Sequence, residues 1–276
     1  MHPAQVVRRA ADYLERHGVE SPVPTAERLL AHVLETDRAG IYARSGLSTQ
    51  EAKRFGRALC RRCVGEPLQH VTGEQGFRRL VLGVRPSVFI PRPETEVLVQ
   101  VLLDELRSVD SPLIVDVGTG TGAVALALVD ELASATVHAT DVSEEAIGLA
   151  RDNAAALARP VDLWEGDLLT PLPEELRGAV DAVVSNPPYV PVERRDALPP
   201  EVRAEPERAV FGDLRLYERL FAQAFGWLRP GGVVAVEIEE STAGAVSEAA
   251  VEAGFEGPRV VRDLAGRDRV VVARRP

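Results

Sequence analysis

Asn186-Pro187-Pro188-Tyr189 follows directly on the apolar run 181–185. Consecutive prolines fix the backbone and leave their carbonyls without ladder partners. The Asn186 side-chain oxygen and the Pro187 carbonyl are then placed to accept the two hydrogens of a planar NH2 group, with the Tyr189 ring stacked on its plane. An amide or aniline-type nitrogen is a weak nucleophile because its lone pair is delocalised. Two fixed acceptors favour charge build-up on that nitrogen and aim it at a methyl group, which is catalysis by positioning and electrostatics. No general base is evident and none is required, since the methylated nitrogen is acidic enough to lose its proton afterwards.

Upstream lies Asp116-Val117-Gly118-Thr119-Gly120-Thr121-Gly122, at the end of an apolar run. Glycines let the backbone turn tightly and let a ligand approach with no Cβ in the way. The spacing is G-x-G-x-G, whereas the dinucleotide fingerprint is G-x-G-x-x-G. An acid precedes it, so Asp116 suits a ligand bearing an ammonium group, such as S-adenosylmethionine. Asp141, at the end of the next apolar run, is placed to accept from both hydroxyls of a ribose, a role that NAD and S-adenosylmethionine sites share. Asp167 could accept from an adenine amino group or cap a turn.

The elements needed to bring these residues together are visible in the pattern. Apolar runs at 113–117, 136–140, 161–164, 180–184 and 233–238 alternate with helical stretches, which implies parallel βαβ units in a doubly wound α/β sheet. A last run at 270–273 follows Val260 and Val261 after a short connection and predicts an antiparallel hairpin at the sheet's end. Residues 3 to 65 read as helices, with Val7, Ala10 and Leu14 on one face of the first and Leu29, Leu30, Val33 and Leu34 on the second. Ser48 and Glu51 have capping-box spacing. Between the two parts, 77–90 predicts a hairpin with Gly83 and Pro86 at its turn, ending in Pro91-Arg92-Pro93-Glu94-Thr95-Glu96 before a further helix.

The chain has 276 residues, 45% of them hydrophobic, with a formal charge of -10. That length suits one large or two smaller domains. An acidic chain is ill-suited to sequence-independent binding along duplex phosphates, whose affinity comes from Lys and Arg. The arginines at 57, 61 and 62 read as a solvated face. Charges at Arg8, Arg9, Asp12 and Glu15 break up any signal-peptide core, and the apolar stretch 112–129 is interrupted by Asp116 and glycines; a cytoplasmic protein is expected. Cys60 and Cys63 form a lone C-x-x-C without further zinc ligands and read as small apolar helix residues. No metal is expected.

These residues resemble the HemK/PrmC protein-(glutamine-N5) methyltransferases, which modify peptide chain release factors. The resemblance covers most of the chain. Glu66-Pro67-Leu68-Gln69-His70-Val71-Thr72-Gly73, Phe89-Ile90-Pro91-Arg92-Pro93-Glu94-Thr95-Glu96, the glycine loop, Asn186-Pro187-Pro188-Tyr189, Glu205-Pro206 and Asp263-Leu264-Ala265-Gly266-Arg267-Asp268-Arg269 stand in the family's order. Asn-Pro-Pro-Tyr alone is shared with adenine-N6 DNA methyltransferases; its combination with Ile-Pro-Arg-Pro-Glu-Thr-Glu is highly specific.

The resemblance implies a class I S-adenosylmethionine-dependent methyltransferase (Rossmann-like) sheet at 94–276. It also implies a small N-terminal helical domain at 1–75 that could dock a release factor, and a β-hairpin linker at 76–93. It further implies methyl transfer from S-adenosylmethionine, leaving S-adenosylhomocysteine, to the glutamine amide nitrogen of a Gly-Gly-Gln loop in a class 1 release factor. By position, Gly118, Thr119, Gly120, Thr121, Gly122, Asp141, Asp167, Leu168 and Asn186 would bind the cofactor. Asn186, Pro187, Pro188 and Tyr189 would bind the glutamine, with Asn186, Pro187 and Tyr189 carrying the catalysis.

There are two departures from the family: Leu168, where an aromatic residue is common, and the shortened Phe211-Gly212-Asp213-Leu214-Arg215. The alternatives are a glutamine in a ribosomal protein, or adenine-N6 methylation of nucleic acid. The latter on duplex DNA needs base flipping and a basic groove, which the charge does not support. No membrane partner and no sequence-specific nucleic-acid binding are expected.

Overall fold

The computed structural model describes residues 2–203 and 205–276. The first stretch forms α1 (Pro3–Arg16), α2 (Pro22–Leu34), α3 (Arg38–Ala43), α4 (Thr49–Cys63) and α5 (Leu68–Thr72). The capping box at the start of α4 is present: Ser48 Oγ accepts from the Glu51 amide at 3.2 Å, and the Glu51 carboxylate accepts from the Ser48 amide at 2.7 Å, satisfying two orphan donors reciprocally. The apolar faces of α1 and α2 close with Ile41 and Phe55 into a core of their own. Cys60 is exposed and Cys63 half-buried against that core, both as free thiols.

The chain divides into two compact units, Met1–Glu74 with Pro199–Ala204, and Gln75–Leu198 with Glu205–Pro276. β1 (Glu74–Phe77) and β2 (Leu80–Gly83) form the hairpin. It lies earlier than the sequence pattern suggests. Its turn is at Arg78, in the left-handed region at φ 49°, and Arg79, and the run Val88, Phe89, Ile90 is not a strand. That run is apolar for a different reason: Val88 packs on Ala146 and Leu149, and the Ile90 amide donates to the buried Glu205 carboxylate at 3.4 Å.

The second unit continues through α6 (Thr95–Glu105), β3 (Leu113–Val117), α7 (Ala123–Glu131), β4 (Thr136–Asp141), α8 (Glu144–Leu157), β5 (Asp162–Glu165) and β6 (Val180–Ser185). After α9 (Pro200–Arg203) and α10 (Glu207–Val210) come α11 (Leu214–Trp227), β7 (Leu228–Glu237), α12 (Ala243–Glu252), β8 (Glu256–Arg262) and β9 (Asp268–Arg274). Of these, α9 counts with the first unit, where the Arg62 guanidinium pairs with Glu201.

The seven strands of the main sheet lie in the order β5-β4-β3-β6-β7-β9-β8. The first five are parallel, and β9 runs antiparallel to both β7 and β8, so the expected terminal hairpin is inserted with its second strand inward. Two apolar layers cover the sheet. One joins α6, α7 and the hairpin to Ile114, Ala139, Ala182 and Val184; the other joins α11 and α12 to Val115, Val117, Val183 and Val236. Successive side chains on a strand point to opposite faces, which is why every residue of β6 is buried. The direction of winding reverses between β3 and β6, the point where open α/β sheets bind ligands beyond their carboxyl ends.

Candidate active site

The register of the sheet brings the two motifs side by side. Val117 pairs with Ser185 on one side and Thr140 on the other, so Gly118, Asn186 and Asp141 all leave the sheet at one edge. The buried Ser185 hydroxyl donates to the Val117 carbonyl at 2.8 Å and locks the two strand ends together. Beyond them the glycine loop climbs through left-handed residues, Gly118 at φ 73°, Gly120 at 56° and Gly122 at 82°. A Cβ at Gly118 would meet no protein atom within 4 Å, whereas one at Gly122 would lie 3.1 Å from Leu126 and 3.3 Å from Ala150. The first glycine therefore opens the loop to a ligand and the last lets α7 pack.

Asp141 organises this loop. One of its oxygens accepts from the Gly120 amide and the other from Ser143, both at 2.9 Å, and burial raises its pKa above the usual carboxylate range. Asn153 of α8 donates to Thr121 O at 2.9 Å and to Gly83 O at 3.1 Å, so the hairpin end is tied to the glycine loop. Asp116 has a different task from the one its place beside the loop suggests. It is 1% exposed, and its Oδ2 accepts from the Thr119 hydroxyl at 2.7 Å and the Ala125 amide at 3.1 Å. Burial pushes its pKa up to about 7. It braces the loop from below rather than facing an ammonium group.

Asp167 is half-exposed and paired with Arg219, while Leu168, left-handed at φ 51°, is buried in the apolar layer under Val117. The open position at Gly118, the braced amides and the Asp141 carboxylate suit a nucleoside carrying a flexible polar tail. Among the described residues, no group of three or more His, Cys, Asp or Glu could hold a metal ion.

Asn186 is half-buried, Pro187 buried and Tyr189 half-buried. Asn186 Nδ2 donates to Thr95 Oγ1 at 3.2 Å. The Tyr189 hydroxyl donates to Glu237 Oε1 at 3.4 Å, and burial together with the Glu237 charge drives its pKa well up. Glu237 ends β7 next to Val236, the partner of Ser185, and is 1% exposed. The backbone after the motif is held too: Val190 N donates to Val210 O and Gly212 N to Val190 O, each at 3.1 Å. The Phe89-to-Glu96 segment has a structural role at the same place. Its Arg92 pairs with Glu205, whose side chain is fully buried, and stacks on Phe89 at 4.9 Å, while its Thr95 reaches Asn186.

Residues 5–73 match the family described as PrmC N-terminal domain and 86–198 that described as methyltransferase small domain. The release factor glutamine methyltransferase of Moorella thermoacetica is 42% identical over 98% of this chain and 98% of its own length. Those of Deinococcus radiodurans, at 39% over 100% and 99%, and Streptomyces coelicolor, at 40% over 99% and 96%, are similar throughout. The chain belongs to the release factor glutamine methyltransferase family. It is a methyltransferase with the class I Rossmann-like fold, and solved structures agree on that fold. The T. thermophilus 16S rRNA N2 G1207 methyltransferase, in complex with AdoMet and guanosine, superposes with a TM-score of 0.56 at 20% identity, over 74% of this chain and 50% of that one.

Set beside this family's motifs, three residues of the site escaped the sequence reading. Thr95 was visible only as part of the Pro-rich segment, and Gly212 only as part of a shortened loop. Glu237 gave a signal that could have been used: an acid closing an otherwise apolar strand next to the Asn-Pro-Pro-Tyr strand. A buried charge at a strand's carboxyl end has to be partnered.

Proposed function

We propose that the chain transfers a methyl group to the side-chain amide nitrogen of the glutamine in the Gly-Gly-Gln loop of a class 1 peptide chain release factor in the cytoplasm. The observation that carries this reading is the pairing of Asn186 with Thr95 next to a proline-fixed carbonyl, which leaves an acceptor pair for an NH2 group at the reversal point of the sheet. Gly118, Thr119, Gly120, Thr121 and Gly122 hold the methyl donor through backbone amides, and Asp141 accepts from its ribose. Leu168 contributes apolar surface from beneath, and Asp167 stands at the rim. Bound there, S-adenosylmethionine would supply its sulfonium methyl to the amide nitrogen and be left as S-adenosylhomocysteine.

Asn186 Oδ1 and Pro187 O accept the two amide hydrogens, stabilise the charge that grows on nitrogen, and hold it in line. Tyr189 and Pro188 flank the amide plane and keep it from rotating. Once the nitrogen carries the methyl, its proton is acidic and leaves to water.

The test is labelled methyl transfer to a purified release factor carrying Gly-Gly-Gln or Gly-Gly-Glu. Label is expected only on the first. Equal labelling of both would reject the substrate, and labelling of ribosomal protein alone would favour the other glutamine acceptor.

A further inference from the structure

The helix α10 is a single turn of four residues. A turn that short has no stability of its own, so its place is set by what its flanks and side chains touch. Just ahead of it, the buried Glu205 carboxylate accepts from the Ile90 amide at 3.4 Å and pairs with Arg92. Just behind it, Val210 O accepts from Val190 N and Gly212 N donates to Val190 O, each at 3.1 Å, in a parallel bridge between Val190 and Phe211. Gly212 in turn lies against the Pro188 carbonyl. The far end of the segment 205–212 is therefore anchored on the Asn-Pro-Pro-Tyr clamp.

Its middle reaches the other half of the site. Arg208 Nη2 donates to Ser143 Oγ at 2.8 Å and to Glu145 Oε2 at 3.1 Å. Arg208 and Glu145 are both about half exposed, and an exposed ion pair by itself adds little. Ser143 is different: it is 5% exposed, and its amide donates to Asp141 Oδ1 at 2.9 Å. Its hydroxyl donates to Glu145 Oε2 at 2.9 Å, and accepts from the Ala146 amide at 3.3 Å, as the cap of α8, and from Arg208. One donor and two acceptors are all that a hydroxyl has. The guanidinium thus completes the bonding of a buried group beside the Asp141 carboxylate, and its charge opposes the rise that burial imposes on that carboxyl. From Asp141 the connection runs on to Gly120 of the glycine loop at 2.9 Å.

We propose that Arg208 is a positioning residue that couples the two halves of the site: a nucleoside held by the glycine loop and Asp141 raises the affinity of the clamp for its glutamine substrate. By thermodynamic linkage the substrate raises the affinity for the nucleoside by the same factor. This rests on the proposed glutamine chemistry and adds a link between its two ligands. The element with two arrangements is the segment 205–212, seated on Ser143 or shifted off it. A nucleoside on Asp141 fixes Ser143 and favours the seated arrangement, in which Val210 and Gly212 hold Val190 and Pro188. The anchors at Glu205, Val210 and Gly212 do not involve the Arg208 side chain, so substitutions there leave the segment attached at both ends.

The experiment compares full-length wild type, Arg208→Ala and Arg208→Lys. Calorimetry gives the affinity for S-adenosylhomocysteine with and without a saturating Gly-Gly-Gln release factor, and the affinity for the release factor with and without the nucleoside. In the wild type each affinity should rise at least about fivefold when the other ligand is present. Arg208→Ala should bring both factors to about one. Its KM for the release factor at saturating donor should rise by the lost factor, while the nucleoside-free enzyme binds the release factor as the wild type does. A merely structural loss would weaken the separate affinities and leave the factor unchanged.

Both Arg208 bonds leave one nitrogen, so an ammonium can replace it, and Arg208→Lys should keep the coupling. A wild-type factor in Arg208→Ala would overturn the proposal. So would a factor of one in a wild type that methylates the Gly-Gly-Gln release factor. A wild type that does not methylate that glutamine would sink the substrate reading, and the coupling with it.

Discussion

Gly212 offers a sharp test of how rigid the clamp has to be. A Cβ placed on it would lie 2.0 Å from the Pro188 carbonyl oxygen and 2.7 Å from the carbonyl carbon. Its φ is not in the left-handed region, so alanine is opposed by collision alone and not by backbone strain. Both offending atoms are backbone, and reaching an ordinary contact requires Pro188 or Gly212 to move by about 1 Å or more. Pro188 follows the Pro187 carbonyl directly and the proline rings transmit the displacement, so the acceptor pair moves with it. A misplacement of about 1 Å at a reacting group costs on the order of 10²-fold in rate.

Overpacking of this kind also costs about 1–3 kcal/mol, or a fall in Tm of roughly 2–4 °C per kcal/mol for a domain of this size. Gly212→Ala should therefore lower kcat on a Gly-Gly-Gln release factor by about 10², with a modest loss of Tm and near-normal S-adenosylmethionine affinity, because the glycine loop lies on the neighbouring strand. The assay is initial-rate methyl transfer alongside calorimetric binding of the donor. A variant that folds with wild-type kcat would show that the clamp tolerates displacement and that positioning is not how it works.

Two further outcomes follow from the same geometry. Asn186→Ala should keep donor affinity and lose methyl transfer by about 10²–10³, the loss seen when a preorganised polar contact is removed, read by the same pair of assays; retained activity would discard the acceptor pair. Asp116→Asn can keep both hydrogen bonds from Thr119 and Ala125 while removing the charge. The native carboxyl, raised to about 7, holds its proton where the unfolded chain has lost it, so wild-type stability from this group is fully present below about pH 4 and is lost as pH rises to about 7. The Tm of Asp116→Asn relative to wild type should thus increase between pH 4 and 8, and thermal scans showing a constant difference would refute the assignment.

The sequence by itself determined the strands at β3, β4, β5 and β6 nearly to the residue; β3 and β6 stand out because strands buried on both faces are near-continuous apolar runs. It also determined the local backbone of residues 186–189, since two consecutive prolines restrict it whatever surrounds them. The hairpin was misplaced for the complementary reason: Val88, Phe89 and Ile90 are apolar to pack on α8 and beside Glu205, and hydrophobicity alone does not distinguish packing from pairing. The tertiary structure decided everything that depends on groups far apart in the chain. Asp116 turned inward because α7 starts above it. Asn186 acquired a partner because Thr95 from α6 lies within hydrogen-bond reach of it, and Gly212 has no room for a side chain because the Pro188 carbonyl lies against it. Each of these is a hydrogen bond or a steric contact between residues that no local spacing connects, and its energy exists only once the sheet has set the register.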